Sequence, residues 1–148
     1  MGASWWSYHV PYQPDLQAAL DGLRERAFAE GDYWWAVPRQ NKTSAADFPD
    51  RPRTEEELWA EEIVQDSGTH SILDVREIVT VPGRATCGTV HVVDEAEALE
   101  RVGVARPTRE HVAELEPLAT ERWVGRCAVL HDQAGEPAEI YFWGFSGD

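Results

Sequence analysis

Ala138-Glu139-Ile140-Tyr141-Phe142-Trp143-Gly144-Phe145 is dense in aromatic and β-branched residues and follows the turn-rich run Asp132-Gln133-Ala134-Gly135-Glu136-Pro137. Such a segment reads as a strand closing a hairpin. Side chains alternate across a strand, which puts Tyr141, Trp143 and Phe145 on one face and Ile140 and Phe142 on the other. With both faces apolar, this strand belongs in the middle of a sheet, and residues 122–131 just before it supply its neighbour.

Working outward, residues 3–10 carry Trp5, Trp6, Tyr8 and Val10 and stop at Pro11, the pattern of a first strand. Pro14-Asp15 then opens a helix, because proline suits the first turn and a carboxylate suits the positive end of the helix dipole. Leu16, Ala19, Leu20, Leu23 and Ala27 form its apolar stripe, and Gly31 stands where it would end. Residues 32–37, with Trp34 and Trp35, read as a second strand carrying another adjacent indole pair.

From 38 to 53 the pattern dissolves into Pro, Ser, Asn, Asp and Arg, and connections this long tend to be lids or disordered segments. Arg39, Lys42, Arg51 and Arg53 outnumber Asp47 and Asp50 there, so a basic loop sits in an acidic chain. Thr54 with Glu57 is a capping-box pattern that starts a helix ending near Gly68, with Trp59, Ala60, Ile63 and Val64 on one side. Residues 71–81 and 85–93 read as two strands joined in a hairpin at Pro82-Gly83. Residues 94–102 form a short acidic helix stopped by Gly103. Thr108 caps another that fails at Pro117, because the residue before a proline is driven out of helical geometry.

The order β-α-β-α-β-β-α-α-β-β implies one α+β domain over residues 1–148. Its mixed, mostly antiparallel sheet has about five to six strands, with two main amphipathic helices and two shorter ones. A chain of 148 residues is long enough to bury roughly two-thirds of its unfolded surface without staples.

The formal charge of −14 excludes binding to a phosphate backbone, which needs Lys and Arg to displace counterions. No run of 18 apolar residues is present and the amino-terminal residues lack the regions of a signal peptide, so neither a membrane span nor export is expected and the default compartment is cytoplasmic. Cys87 and Cys127 are isolated thiols that form no disulfide framework. The spacings Cys87-x-x-x-His91 and Cys127-x-x-x-His131 suggest zinc. Along a strand, however, each pair lies about 13 Å apart, too far for ligands that sit about 2.0–2.3 Å from one ion. No metal and no cofactor is expected, and no phosphate loop, nucleophile elbow or dinucleotide fingerprint is present.

The candidate site residues are Tyr12, Trp34, Trp35, His70 and Trp143. The rings are more numerous than two amphipathic helices can cover on both sheet faces, which leaves one face for the shorter helices, a second subunit or a ligand. His70 lies in Gly68-Thr69-His70-Ser71, with hydroxyls beside it and Asp74 nearby, though on a strand the histidine and the aspartate would stand about 13 Å apart. His9 and Tyr12 mark a strand-to-helix junction. The expected function is an acidic binding or regulatory module that holds a partner protein or a small molecule on an aromatic-lined surface, immunity- or inhibitor-like by analogy. The same surface would suit a homodimer. The second expectation is a small enzyme in which His70 moves a proton and the 38–53 loop closes over an anionic substrate.

Overall fold

The computed structural model describes residues 3–35, 43–81, 83 and 86–148. Its elements are β1 (Trp5–Pro11), α1 (Leu16–Glu30), β2 (Trp34–Trp35), β3 (Thr43–Ser44), α2 (Glu55–Trp59), α3 (Glu62–Ser67), β4 (Glu77–Val79), β5 (Thr89–Val92), α4 (Glu95–Val102), α5 (Val112–Leu115), β6 (Gly125–His131) and β7 (Pro137–Phe145). A five-stranded sheet has the order β1-β7-β6-β5-β4, and β2 pairs with β3 in a separate two-stranded ladder. The two long ladders, β1 with β7 and β6 with β7, are antiparallel. The fold is therefore an α+β domain with a mixed, mostly antiparallel sheet.

β7 lies inside the sheet and its alternation divides the core. Ile140 and Phe142 pack with Leu20, Leu23 and Ala27 of α1, together with Trp6, Val10, Val90 and Cys127. Tyr141 and Trp143 face the opposite way, against Ala98 of α4, Leu115 of α5, Ala128 and Leu130. The short helices thus cover the second face. The expected shortage of cover does not arise, because α4 and α5 are aimed at the sheet rather than at solvent. A third cluster, Tyr33, Ala45, Leu58, Val64 and Leu73, fills the side of the molecule where β2 and β3 meet.

Local signals explain the helix ends. The Asp15 carboxylate accepts from Ala18 N at 3.0 Å, and Gly31, at φ 69°, turns the chain out of α1. A Cβ on Gly31 would come within 2.7 Å of Ala46 N, so the position needs glycine for space as well as for conformation. Asp94 and Gly103 bound α4 in the same manner. Thr108 caps its turn with His111 closing the box, since His111 Nδ1 lies 3.0 Å from Thr108 N.

Four expectations are corrected. β4 and β5 are parallel, with Glu77 opposite Thr89, so residues 71–93 form no hairpin; Pro82, Arg84 and Ala85 lie outside the described residues. The helix begun by Thr54 breaks at Ala60-Glu61 into α2 and α3, leaving Ile63 exposed and burying Leu58. Residues 72–74 are a 3-10 turn rather than strand. Trp34 and Trp35 belong to the small ladder, not to the main sheet.

Residues 36–42, which include part of the expected second strand and Arg39 and Lys42 of the long loop, lie outside the described residues. The described remainder, 43–53, is structured by β3 and by a 3-10 turn at Ala45–Asp47. Arg51 there donates to the Ala29 carbonyl at 3.2 Å.

Candidate functional site

The Gly68-to-Asp74 connection folds back on itself, which brings together groups that a strand would have kept apart. Thr69 N donates to Asp74 Oδ1 at 2.6 Å, and Thr69 Oγ1 donates to the same oxygen at 2.8 Å. Ser146, just past β7, donates its hydroxyl to Asp74 Oδ2 and accepts from His70 N at 3.0 Å. The Ser71 hydroxyl is taken up by Thr69 Oγ1 at 2.6 Å and by Leu73 N at 3.2 Å. A Cβ on Gly68 would lie 2.6 Å from Ser146 Oγ, so this knot closes only around a glycine.

Burial pushes the Asp74 carboxyl above its ordinary value, and the donors from Ser146 and Thr69 only partly oppose the shift. His70 itself adopts φ 54°. Its ring stacks on Trp34, with centroids 4.5 Å apart and planes 8° from parallel, and its Nε2 lies 3.3 Å from Asp148 Oδ2. Asp148 also accepts from Ser4 N at 2.9 Å and from Ser4 Oγ at 2.7 Å. Burial raises its pKa, but the Ser4 donors and the His70 charge prevail and hold it below the usual range. This network ties the residues around His70 to both ends of the described chain.

The other singled-out residues fall elsewhere. Trp35 is half-buried against the third cluster. Trp143 is fully buried and donates Nε1 to the Glu116 carbonyl at 3.1 Å. Tyr12, 36% exposed, pairs its N–H with Ala138 O at the opposite end of β7 from Ser146, roughly 26 Å away at strand rise. Only Trp34 and His70 are brought into contact by the fold. His9 instead joins Glu139, which Arg109 also grips with Nε and Nη2 at 2.6 and 3.2 Å.

Cys127 is buried in the core, where desolvation pushes its thiol to about 12, and Cys87 is exposed in the turn before β5. The parallel register sets Cys127 beside Val92 rather than His91. Among the described residues no group of three or more His, Cys, Asp or Glu is placed to hold a metal ion. No described helix is long and apolar enough to cross a membrane.

A cleft of about 470 Å³ lies beside the carboxyl ends of β4 and β5, under α4 and residues 118–121. Val79, Val92, Leu118 and Val124 give it apolar lining, and Asp94, Glu97, Glu100 and Glu121 bring four carboxylates to it. Among the described residues Arg126 is the arginine of this lining, and its charge is already engaged. Its guanidinium donates to Glu97, to His91 O at 3.1 Å and to Leu118 O at 3.5 Å. His91 Nε2 is 3.1 Å from Thr89 Oγ1. The cleft's described residues therefore present apolar lining and a surplus of negative charge. Sequence reasoning missed it because the acidic run at 94–100 is fully accounted for as helix capping until the parallel strands place it opposite Val79 and Arg126.

Protein-family models, curated proteins and solved structures were all compared with this chain, and none matches. Fold and site together define an α+β domain with a sheet covered on both faces and an acidic cleft at one flank.

Proposed function

We propose that this chain is a binding module whose cleft beneath α4 receives a basic side chain of a partner protein. The observation that carries this reading is the combination within one cavity of Val79, Val92, Leu118 and Val124 with the carboxylates of Asp94, Glu100 and Glu121. Lys and Arg side chains have the matching shape, an aliphatic stem ending in a cation, and bury the stem while the head stays near polar groups. The net charge of −14 would steer such a partner from a distance and reject an acidic one. Among the described residues Trp5 and Tyr12 are the exposed aromatic ones and stand far from each other along β1, so the acidic rim supports the reading better than an aromatic surface does.

The test is calorimetric titration with an arginine-containing peptide and with its glutamate counterpart. The arginine peptide should bind, more weakly as salt is raised, and the Glu100→Gln, Glu121→Gln double variant should bind it about tenfold less tightly, the effect of losing roughly 1.4 kcal/mol. Binding of both peptides alike, or of the double variant like the parent, would remove the cleft from consideration.

A further inference from the structure

The two edges of the main sheet are built differently. β4, at one edge, has only three residues and carries Glu77. β1, at the other, has seven residues and pairs with β7 in an unbroken register from Trp5↔Phe145 to Pro11↔Glu139. Sheet edges are normally guarded by brevity, charge, proline or a bulge, because a bare row of amides and carbonyls recruits another strand. β1 has Pro11 at its very end and none of the other devices. From Met1 to Pro14 the sequence contains no Asp, Glu, Lys or Arg, in a chain where such residues are 27% of the whole. Trp5 and Tyr12, 38% and 36% exposed, stand at the two ends of β1 within this neutral stretch.

We infer that β1 is a self-association edge, at which two copies of this chain pair antiparallel about a two-fold axis at Tyr8. The register argues for a second copy rather than a foreign strand. Centring the pair on Tyr8 sets Trp6 opposite Val10 of the other copy and Tyr8 opposite its own equivalent on one face. On the other face it sets Ser7 opposite His9 and Trp5 opposite Pro11. Apolar positions thus stand opposite apolar ones and polar opposite polar, as an isologous contact requires; Trp6 and Val10 are already buried in their own copies, so the main-chain ladder and the exposed Trp5 carry the contact. β1 itself offers no Asp, Glu, Lys or Arg to complement a charged strand from another protein, whereas the acidic helices, which carry the mutual repulsion of two copies, lie elsewhere on each chain. A contact of seven residue pairs is small, so the dimer dissociates on dilution.

Sedimentation velocity of the full chain over a range of concentrations, at low and at high salt, tests the inference. Each copy carries −14, so screening strengthens the dimer, whereas it weakens binding of a basic peptide in the cleft; the two readings therefore respond to salt in opposite directions. The expected result is a sedimentation coefficient that rises with concentration, more steeply at high salt. Ser7→Lys and Trp5→Lys should each reduce association at least tenfold while circular dichroism confirms that they fold, and Glu77→Lys on the opposite edge should leave it unchanged. A wild-type protein that stays monomeric throughout would overturn the inference, as would lysine variants that fold and associate like the parent. It would also fall if the chain were monomeric and its β1 amides slowed in hydrogen exchange only on adding an uncharged extended peptide, which would assign the edge to a foreign strand.

Discussion

The indole of Trp6 occupies the space above Gly144, where a methyl group would lie 2.6 Å from ring atom Cζ2. Gly144 is the cross-strand partner of Trp6 on β7, and Gly125, the next partner along on β6, would place a Cβ 2.8 Å from Cη2 of the same ring. Two glycines on adjacent strands therefore make the bed for one buried tryptophan. Gly144→Ala should cost about 1–3 kcal/mol through overpacking, because the ring, Val124 O at 3.0 Å and Gly125 Cα at 3.1 Å leave little room to yield. Urea unfolding monitored by tryptophan fluorescence measures the loss. An unchanged midpoint would show that the ring can move aside.

Arg24 holds three parts of the fold at one point. It is 8% exposed on α1 and donates to the carbonyls of Leu73 and Val75, while its other terminal nitrogen reaches Glu55 at the start of α2. Burial lowers its pKa, with the Glu55 charge opposing the shift. Arg24→Met should destabilise the protein by about 1.5–3 kcal/mol, because buried carbonyls lose a charged donor. Arg24→Lys should rescue little, since one ammonium cannot span the carbonyls and Glu55 together. Full rescue by lysine in thermal unfolding would mean that charge alone, and not the guanidinium fork, is what the site needs.

Those two sites mark how far the residues alone could be read. The β7 faces, the opening of α1 near Asp15, its end at Gly31 and the extent of α4 up to Gly103 were legible, because each depends on periodicity or on side chains within a few positions, although Pro14 precedes the Asp15 cap instead of entering the first turn. The pairing of β4 with β5 was not. Pro82-Gly83 is a local turn signal, whereas the parallel register depends on how β5 docks on β6 and β4 on β5. For the same reason the knot at Asp74 was hidden: its oxygens take donors from Thr69 and from Ser146, and the second lies 72 positions away. Trp34 and Trp35 satisfied a strand pattern, yet found a partner in Thr43–Ser44 rather than in the sheet. The cleft combines residues from three separated stretches, 79–83, 91–100 and 118–126, so no short window of sequence contains it.

Arg126 gives a way to separate the stability of the cleft from its charge. Its guanidinium joins Glu97 on α4 to the carbonyls of His91 on β5 and Leu118 on the opposite wall. Replacing it with leucine leaves Glu97 without its cation and should cost about 1.5–3 kcal/mol of stability. In the fraction that stays folded, the extra negative charge should tighten binding of an arginine peptide. Weaker binding together with an intact fold would show that Arg126 shapes the cleft for its occupant rather than merely holding its walls.

Asp74 and Asp148 should give opposite pH signatures although both belong to the network around His70. The Asp74 pKa is raised in the folded protein by burial, so the folded state holds that proton more tightly than the unfolded chain does. Its contribution to stability is complete below the ordinary value of 3.8 and is lost as pH rises through the raised folded value. The Asp148 pKa is depressed, with burial outweighed by the Ser4 donors and by His70. Its contribution is present above 3.8 and is lost as pH falls through the depressed value. Unfolding of the wild type, Asp74→Asn and Asp148→Asn should be compared between about pH 3 and pH 7, the range over which such carboxylates titrate. Asp74→Asn also carries a pH-independent loss of about 1–3 kcal/mol, because one amide oxygen cannot accept from Thr69 N, Thr69 Oγ1 and Ser146 Oγ as the carboxylate does. Beyond that offset, the advantage of the wild type over Asp74→Asn should shrink toward neutral pH, while its advantage over Asp148→Asn should shrink toward acid. If both gaps moved in the same direction, the two carboxylates would share one environment, and the division of the network into a buried half at Asp74 and a half held at Ser4 and His70 would be wrong.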